Sequence, residues 1–320
     1  MKRLGIYFIY DKDGIADDYI PYFLERLQPF CREICVVVNG RLTEESKKKI
    51  LPFCSRILER ENRGLDVMAY KYALDFYGRE QIASFDEVLL CNFTFFGPFY
   101  SMKSLFEKMS SVSCDLWGLF RWPLYNENGA FIRPLASFFV AYRRSVLQSN
   151  AFWEYWRTLP PIASYNDSVT LHEQRQAAYY EDKGFKVAAY VDCDRYKPYW
   201  PYHWPLFCAR DLIEKEHFPF LKRRQFFIES GRFEWGQYNL DIIRFLRRKN
   251  LYDVSLIFNN ISRTQPVDSL PEHHFSWKGL CFLFKSLFHY DSIRRERNKR
   301  KLVTRSAFYS AFGRAVPEKK

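Results

Sequence analysis

Residues 60–98 constrain the fold more than any other stretch, because they place two polar clusters on either side of one helix and one strand. The first cluster, residues 62–66 (NRGLD), precedes a run whose apolar residues recur at helical spacing. The second, residues 92–98 (NFTFFGP), directly follows residues 87–91 (EVLLC), a short apolar run of the buried-strand type. Open α/β sheets bind ligands at the carboxyl ends of their strands, beside turns that lead into helices. We therefore predict an α/β fold with a binding site at this point of the chain.

Apolar runs and helical patterns alternate along most of the sequence. The predicted strands are residues 4–9, 34–38, 57–58, 87–91, 115–120 (a strand or a turn), 135–142 and 187–191. The predicted helices are residues 20–27, a short helix opened by Thr43, and residues 67–77, 99–108, 145–159 and 168–183. Strands that alternate with helices predict a mostly parallel sheet with helices on its faces.

Three parts are expected along the 320 residues. Residues 1–232 would form the α/β domain, residues 233–270 a helical appendage, and residues 271–320 an amphipathic helix with a basic tail. Within residues 291–320, ten Lys and Arg stand against three acidic residues, so this tail holds +7 of the formal net charge of +12. A charge excess confined to a tail does not indicate a basic groove across the fold, and no RNA-binding motif is present. A nucleic-acid-binding protein is therefore the least favoured hypothesis.

Residues 275–290 (FSWKGLCFLFKSLFHY) are strongly apolar, contain two lysines and are too short to span a bilayer. An apolar helix followed by a cationic run is typical of an interfacial helix that meets anionic headgroups. The alternative is that this helix packs on protein while the tail is simply solvated. The eight cysteines form no CxxC pair, and the apolar run near the N-terminus is too short for a secretory signal. These features predict a cytoplasmic protein that binds an anionic membrane surface through residues 275–290 and the basic tail.

Several blocks follow one another in a defined order. They are Asn62-Arg63-Gly64-Leu65-Asp66, Asn92-Phe93-Thr94 with Gly97-Pro98, residues 115–119 (DLWGL) with 137–140 (SFFV), Phe152-Trp153, and the segment from Glu173 to Gly184-Phe185. Together they resemble the rhamnan synthesis F family of polysaccharide glycosyltransferases, over residues 3–230. The resemblance implies a GT-A-like, Rossmann-like α/β fold, here with a C-terminal helical extension. It also implies transfer of a deoxysugar, typically rhamnose, from a nucleotide sugar such as dTDP-rhamnose to a growing, lipid-linked surface glycan at the inner face of the cell membrane.

Glycosyl transfer needs a pocket for the nucleotide diphosphate and positive charge or N–H groups for the departing phosphate. Strand-end position and the resemblance together assign donor binding to Asp11, Asp13, Asn62, Arg63, Gly64, Asp66, Asn92, Thr94 and Asp115. Arg63 would clamp the diphosphate, and Gly64 would allow close backbone approach. Structural alternatives stay open for three of these residues: Asp11 and Asp13 as turn formers, and Asp66 as the N-cap of the following helix.

An inverting transferase also needs a carboxylate that deprotonates the acceptor hydroxyl. Glu173 is the first choice for this base, since it lies on a late helix where inverting GT-A enzymes bring an acidic residue to the acceptor, and Asp167 is the alternative. Glu173 could equally be an ordinary helix-surface residue. Trp117, by stacking, and Ser137 are the predicted acceptor contacts.

The resemblance breaks down at Phe93. GT-A enzymes commonly carry Asp-x-Asp after this strand, and the family usually has Asn-Asp-Ser/Thr, so Phe93 replaces a carboxylate that a hard cation would want. We therefore assign no metal ligands and expect metal independence or weak dependence on Mg²⁺ or Mn²⁺. The same substitution favours one competing hypothesis, a non-catalytic scaffold in a polysaccharide assembly complex. His203, His273 and His274 have no partner at metal-ligand spacing and are interpreted as structural or surface residues.

Overall fold

A computed structural model of the chain describes residues 1–126, 129–199, 205, 208–226 and 237–265. The chain divides into two compact units. The first comprises residues 1–94, 100–121 and 133–191, and the second comprises residues 95–99, 122–132 and the described residues from 192 onward. The predicted domain boundaries after residues 232 and 270 lie outside the described residues, as do residues 275–290 and the basic tail.

The predicted alternation of strands and helices is present. The strands are β1 (Arg3–Tyr10), β2 (Glu33–Asn39), β3 (Arg56–Arg60), β4 (Glu87–Asn92), β5 (Phe95–Phe96), β6 (Leu116–Phe120), β7 (Leu124–Tyr125), β8 (Phe131–Ile132), β9 (Phe139–Arg143), β10 (Val187–Val191) and β11 (Leu221–Lys222). The helices are α1 (Tyr19–Leu27), α2 (Glu44–Ile50), α3 (Leu65–Ala83), α4 (Met102–Ser110), α5 (Arg144–Leu147), α6 (Asn150–Thr158), α7 (Tyr165–Asp167), α8 (Gln174–Asp182), α9 (Ala209–Lys215), α10 (Gln237–Arg248) and α11 (Ser255–Thr264). A π-helical turn, Ser168–Glu173, joins α7 to α8, and short 3₁₀ helices are Gln28–Phe30, Leu51–Phe53, Cys193–Tyr199 and Arg223–Phe226.

Seven strands of the first unit form one sheet in the order β10-β6-β9-β4-β1-β2-β3. β1 pairs in parallel with β2 and β4, β2 with β3, and β6 with β10, whereas β9 runs antiparallel to both β4 and β6. The carboxyl ends of β1 to β4, β6 and β10 therefore lie at one edge of the sheet, together with the amino end of β9. We call this edge the carboxyl edge. The predicted fold class, a mostly parallel sheet with flanking helices, is confirmed.

The sheet is covered on both faces, which explains why its strands are near-continuous apolar runs. Seven of the eight residues of β1 are buried. Along β1, Leu4, Ile6 and Phe8 join the core cluster that contains the inner face of α3. Tyr7, on the opposite face of the strand, packs on Phe23 of α1 with ring centroids 5.0 Å apart. Successive side chains of one strand thus fill two separate cores.

Two predicted helices are interrupted. The helix expected at residues 145–159 is split into α5 and α6, because Ser149 caps α6 by accepting a hydrogen bond from the Phe152 N–H. The helix expected at residues 168–183 begins with the π-helical turn, which ends at Glu173. In the second unit, β5 pairs with β11 and β7 pairs with β8, both antiparallel. Among the residues that the structure describes, none of the helices is both long and apolar enough to cross a membrane.

Candidate functional site

The two polar clusters of residues 60–98 meet at the carboxyl edge. The side-chain amide of Asn92, the last residue of β4, donates a hydrogen bond to Asp66 Oδ2 at 2.6 Å. The Asn92 side chain is nearly buried, at 4% exposure, while Asp66 is half-buried. Asn92 Oδ1 accepts from both the N–H and the hydroxyl of Thr94, at 3.1 and 2.6 Å. Asp66, Asn92 and Thr94 therefore form one connected group.

The start of α3 explains how Asp66 reaches Asn92. Gly64 precedes the helix in the left-handed region, with φ of 68°, and Leu65 follows with φ of 53°. A Cβ on Gly64 would lie 2.2 Å from the Met68 side chain, so glycine is required here both for its φ and for space. The left-handed Leu65 is a strained conformation for a branched residue, of the kind that clusters at binding sites. Asp66 lies inside the first turn, so the alternative role of N-cap belongs to Gly64 instead.

Arg60 is a candidate site residue that the sequence analysis missed. It ends β3, and its guanidinium donates to Asn39 Oδ1 at 2.6 Å and to the Arg63 carbonyl at 2.8 Å. Asn39 ends β2 and donates to the Leu65 carbonyl at 3.2 Å. Partial burial lowers the pKa of Arg60, which stays charged. Because its hydrogen bonds already fix the guanidinium, Arg60 is suited to bind an anionic ligand at this position.

Arg63, the predicted diphosphate clamp, is placed differently. Its side chain is 76% exposed and pairs with Glu61 at 2.9 Å. Asn62 is exposed in the same loop, between β3 and α3. In the part of the chain that the structure describes, Arg63 therefore pairs with Glu61 and does not contact Asp66 or Asn92. Arg60, in contrast, is a cation that its hydrogen bonds fix at this edge.

Asp11 and Asp13 follow β1 at the same edge, where the turn-forming alternative applies to Asp11. Its Oδ1 accepts from the N–H groups of Asp13 and Ile15, both at 3.0 Å, which closes the loop towards Gly14. Asp13 itself is exposed. The carboxyl edge thus carries acidic side chains after β1 and in α3, with Arg60 at the end of β3.

Glu173 and Ser137, both named from the sequence, are in direct contact. Glu173 Oε2 accepts from the Ser137 N–H at 3.0 Å and from the Ser137 hydroxyl at 2.7 Å. Ser137 lies two residues before β9, and the carbonyl of the intervening Phe138 accepts from the Asn92 N–H at 3.1 Å. The predicted base is therefore one backbone contact away from the Asp66–Asn92 group. Since β9 is antiparallel, its amino end brings Ser137 to the carboxyl edge.

Asp167, the alternative base, is committed to capping. Its Oδ2 accepts from the N–H groups of Ala163 and Ser164, and the Ser164 hydroxyl accepts from the Asp167 N–H, which completes a capping box at α7. The bond from the Ala163 N–H, followed by those from Ser164, lowers the pKa of Asp167. A carboxylate stabilised in this way is a weak proton acceptor. Glu173 is the better candidate.

The placement of two predicted site residues requires correction. Asp115 directly precedes β6, so it lies at the opposite, amino edge of the sheet, where it accepts from Ser145 Oγ at 2.6 Å and the Lys186 N–H at 2.8 Å. It cannot meet a donor that binds Asp66. Trp117 is 1% exposed and its indole N–H donates to Glu87 at 2.8 Å. A ring buried to this extent has no face for an acceptor sugar, so both residues are structural.

The end of β4 is a poor site for Mg²⁺ or Mn²⁺. Phe93 packs its ring edge-on against Phe8, with centroids 5.8 Å apart, where a carboxylate was expected. Asn92 Oδ1 is already used by Thr94, and hard cations prefer several carboxylate oxygens. These residues do not fit a divalent cation.

Another group in the second unit could hold a metal ion. Possible ligand atoms of Asp192, Cys193 and Asp194 lie within 4.8 Å of one another. Asp194 also pairs with Lys197 at 3.2 Å, and Asp192 accepts from the Asp194 N–H at 3.0 Å. An Asp-x-Asp spacing at residues 192–194 is visible in the sequence, where it was not singled out.

His172 makes folding stability depend on pH. The ring is 1% exposed, and burial lowers its pKa from 6.5 to about 3. The unfolded chain then binds one more proton than the folded chain between these values, so stability falls as the pH drops below about 6.5 and the loss levels off near pH 3. At pH 5 we expect a loss of about 2 kcal/mol relative to pH 7.5 from this group, measured by urea unfolding. His172→Asn should remove that part of the pH dependence, whereas His217→Asn, at an exposed position, should retain it.

Sequence comparison places the chain among proteins of glycan assembly. The family model described as Rhamnan synthesis protein F matches residues 34–310. A curated relative, the uncharacterized protein y4gN of Sinorhizobium fredii (strain NBRC 101917 / NGR234), is 24% identical over 166 residues. That alignment covers 51% of this chain and 41% of the relative, so the chain spans less than half of the relative's length.

Solved structures with a similar arrangement include two transferases. The glycosyltransferase GlyE of Streptococcus pneumoniae TIGR4 has a TM-score of 0.40 and 14% identity, covering 86% of this chain and 66% of that one. Glucosyl-3-phosphoglycerate synthase of Mycobacterium tuberculosis, solved with Mn²⁺, UDP and phosphoglyceric acid, has a TM-score of 0.32 and 15% identity, covering 45% and 56%. Likeness at this level does not extend to a shared activity.

Proposed function

This chain belongs to the rhamnan synthesis F family, a glycosyltransferase-like family of nucleotide-sugar transferases, and from that premise we propose that it transfers a deoxysugar, rhamnose, from dTDP-rhamnose or a similar donor to a growing, lipid-linked surface polysaccharide. The observation that carries the proposal is the group at the carboxyl edge. There Asn92 bonds to Asp66, and the Ser137–Glu173 pair lies one backbone contact away. The Asp66–Asn92 contact suits a polyhydroxylated donor, and the Ser137–Glu173 pair suits proton transfer.

The donor would lie across the ends of β1 to β4. Asp66 and Thr94 offer a carboxylate and a hydroxyl to ribose or sugar hydroxyls, and the N-terminus of α3 favours negative charge. Arg60 would face the diphosphate, with the exposed Arg63 as a second cation. Asp11 and Asp13 would meet the ribose or the base. These roles leave the hydrogen bonds described above in place.

In the transfer step, an acceptor hydroxyl oxygen forms a bond to the anomeric carbon of the donor. The bond between that carbon and the diphosphate oxygen breaks, the electron pair leaves with the nucleoside diphosphate, and the hydroxyl proton passes to Glu173. Attack opposite the leaving group inverts the anomeric configuration. Ser137 holds one oxygen of Glu173, while Oε1 has no hydrogen-bond partner in the described part of the chain. No step depends on a metal ion, in keeping with the poor fit at Asn92 and Phe93.

Donor binding is tested by thermal and urea unfolding with dTDP, dTDP-rhamnose and other nucleotide sugars, with and without Mg²⁺ or Mn²⁺. A ligand at 100 times its dissociation constant should stabilise the wild type by about 2.7 kcal/mol. Asp66→Asn should lose most of this effect, because the amide has only one acceptor oxygen to offer to both the Asn92 N–H and the ligand hydroxyls. The matched control is Asp75→Asn on the same helix, an exposed residue that pairs with Lys71 and should retain the full effect.

Two outcomes would contradict the donor site. Full stabilisation of Asp66→Asn would mean that the donor binds elsewhere. A wild type that no nucleotide sugar stabilises would favour the second hypothesis, a non-catalytic scaffold of a polysaccharide assembly complex. The observation that favours the scaffold is Phe93, whose ring packs on Phe8 where the family usually has a carboxylate. Nucleotide-sugar turnover would exclude it.

We further propose that the protein works at the cytoplasmic membrane surface. In the described residues, the support is a basic face on α10: Arg244, Arg247 and Arg248 recur at helical spacing and are exposed, followed by Lys249. The opposite face, with Ile242, is buried. Exposed Lys and Arg near an anionic surface contribute about 1 kcal/mol each. This face would add to the contacts proposed for residues 275–290 and the basic tail.

Charge reversal tests the basic face. Arg244→Glu, Arg247→Glu and Arg248→Glu together should weaken binding to vesicles of 30% anionic phospholipid by about 100-fold or more, in a cosedimentation assay at low salt. The control reverses three scattered exposed lysines, Lys12, Lys48 and Lys103, which changes the net charge by the same amount. We expect a loss of less than about threefold for the control. Equal losses in both variants would mean that net charge, not this face, determines binding.

A further inference from the structure

The helix that carries Glu173 is not a regular α-helix. Residues Ser168–Glu173 form a π-helical turn, closed by the bond from the Gln174 N–H to the Val169 carbonyl. Such turns are rare and occur frequently at functional sites. The surrounding structure holds this turn in place, since α3 and buried side chains pack against it.

The ring of His172 anchors the turn to α6. Its Nδ1 lies 2.8 Å from the Tyr155 hydroxyl, which is also 3.5 Å from the His172 carbonyl oxygen. Because burial lowers the pKa of His172 to about 3, the ring is neutral at physiological pH. The tautomer with its proton on Nδ1 satisfies both contacts: Nδ1–H donates to Tyr155, and the Tyr155 hydroxyl donates to the carbonyl. This tautomer leaves Nε2 as an acceptor.

Gln176 anchors the following turn of α8 to the central sheet. It is fully buried, and its Nε2 donates to the hydroxyl of Tyr142 in β9. The same nitrogen lies 3.4 Å from His172 Nε2, where the tautomer above accepts a hydrogen bond. Gln176 Oε1 has no hydrogen-bond partner among the described residues. A buried acceptor without a partner is costly, so stability alone would favour an apolar residue here.

Strand β9 connects these contacts to the base. It carries Tyr142, and Ser137, which holds the Glu173 carboxylate, lies two residues before its first residue. The segment from Glu173 to Gln176 therefore contacts one strand at two points, directly through Ser137 and behind it through Tyr142. A shift of the turn would have to break both.

We propose that His172, Gln176 and Tyr142 are positioning residues that hold the π-helical turn against β9 and α6, so that the Glu173 carboxylate stays on Ser137. They act through Glu173. The inference rests on the proposed function for its catalytic consequence, since Glu173 is the base of the proposed transfer. Its structural part, the position of Glu173, can be measured without any turnover.

The first test measures hydrogen exchange of the Ser137 amide in the full chain. Glu173→Ala gives the reference rate for a lost contact. Gln176→Met and Tyr142→Phe should each raise the exchange rate at Ser137 about tenfold towards that reference, because the turn is released from β9. The matched control is Tyr179→Phe, which removes a hydroxyl that also ties α8 to α6, through the Ala151 carbonyl at 3.1 Å, but away from His172. This control should leave the Ser137 rate at the wild-type value.

The second test separates positioning from simple stabilisation. With dTDP-rhamnose and a synthetic rhamnosyl-lipid acceptor, the double variant Gln176→Met/Tyr142→Phe should lower kcat 10- to 100-fold and leave the KM for the donor unchanged. Its urea midpoint should fall only slightly, because both partners of the Tyr142–Gln176 hydrogen bond become apolar together and only the long contact to His172 Nε2, at 3.4 Å, is lost without replacement. A merely structural role would give the reverse: a lower midpoint with an unchanged kcat.

The outcomes distinguish this inference from the proposed function. Unchanged exchange at Ser137 in both single variants would overturn the inference, whatever the enzyme does. If exchange responds as expected while the wild type neither binds nor turns over a nucleotide sugar, the proposed function fails and the positioning of Glu173 stands. If the wild type turns over dTDP-rhamnose and the double variant matches its kcat, the function stands and the positioning role fails.

Discussion

Glu173→Gln is expected to lower kcat by a factor of 10² to 10⁴, the range that a positioned general base contributes. Glutamine keeps the size of the side chain, and its amide oxygen can still accept the two bonds from Ser137, so the turn should not move. The amide cannot take a proton from the acceptor hydroxyl. The loss should therefore appear in kcat, with the KM for dTDP-rhamnose and the donor-induced stabilisation unchanged. The measurement is dTDP release with a synthetic rhamnosyl-lipid acceptor.

Asp167→Asn is the control, because Asp167 is the other carboxylate that the sequence offers as the base. Asp167→Asn should weaken the capping box of α7, because a neutral amide accepts less strongly than a carboxylate, and should change kcat by less than about threefold. If Asp167→Asn abolishes turnover and Glu173→Gln does not, the base is Asp167. If the wild type binds the donor and never releases dTDP, neither carboxylate is a base and the scaffold hypothesis is favoured.

The sequence predicted the sheet well where local pattern and fold agree. The apolar runs that form β1, β2 and β4 are buried on both faces, so each run is nearly continuously apolar and can be identified as a strand from the sequence. The direction of β9 could not be predicted in the same way. Its residues (FVAYR) form an ordinary apolar run, and only its pairing with β4 and β6 makes it antiparallel. That direction is what brings Ser137 to the carboxyl edge.

The candidate site shows the same division between local and distant information. Asp66 and Asn92 each lie at a turn that follows a strand, a pattern that adjacent residues make visible, and both were predicted as part of one site. Arg60 was missed because its importance comes from Asn39 and the Arg63 carbonyl, which lie on other segments. A signal was available: Asn39 and Arg60 end β2 and β3, and polar residues at strand ends collect at one edge of a parallel sheet.

Asp115 and Trp117 show how a motif can mislead. Polar and aromatic residues beside a strand suit sugar binding, but the sequence does not say which end of the strand faces the site. Asp115 lies at the amino edge, and Trp117 points into the core below it. The π-helical turn was equally hidden, because one extra residue per turn leaves the helical spacing of residues 168–183 nearly intact.

Glu87→Gln is expected to destabilise the fold by about 3–5 kcal/mol, because it leaves buried cations without a counter-charge. Glu87 is 1% exposed; it pairs with Arg3 at 2.6 Å and lies 3.7 Å from Arg143 Nε. Its second oxygen also accepts from the Trp117 indole at 2.8 Å. Urea unfolding measures the loss. Glu25→Gln, at an exposed pair with Arg26, is the matched control and should cost no more than about 1 kcal/mol.

The expected loss belongs to the unpaired charge and not to the ion pair itself, and a further variant separates the two. Replacing both members of the closest pair, as Arg3→Met/Glu87→Leu, should recover the part of the loss that comes from the unpaired Arg3, while Arg143 and the Trp117 indole N–H still lack Glu87. A double variant as unstable as Glu87→Gln would mean that apolar side chains cannot replace the Arg3–Glu87 contacts. Glu87 lies at the amino edge, opposite Asp66, so the donor should still stabilise Glu87→Gln by the wild-type amount. Loss of donor binding in that variant would contradict the separation of the two edges, and with it the structural role assigned to Trp117.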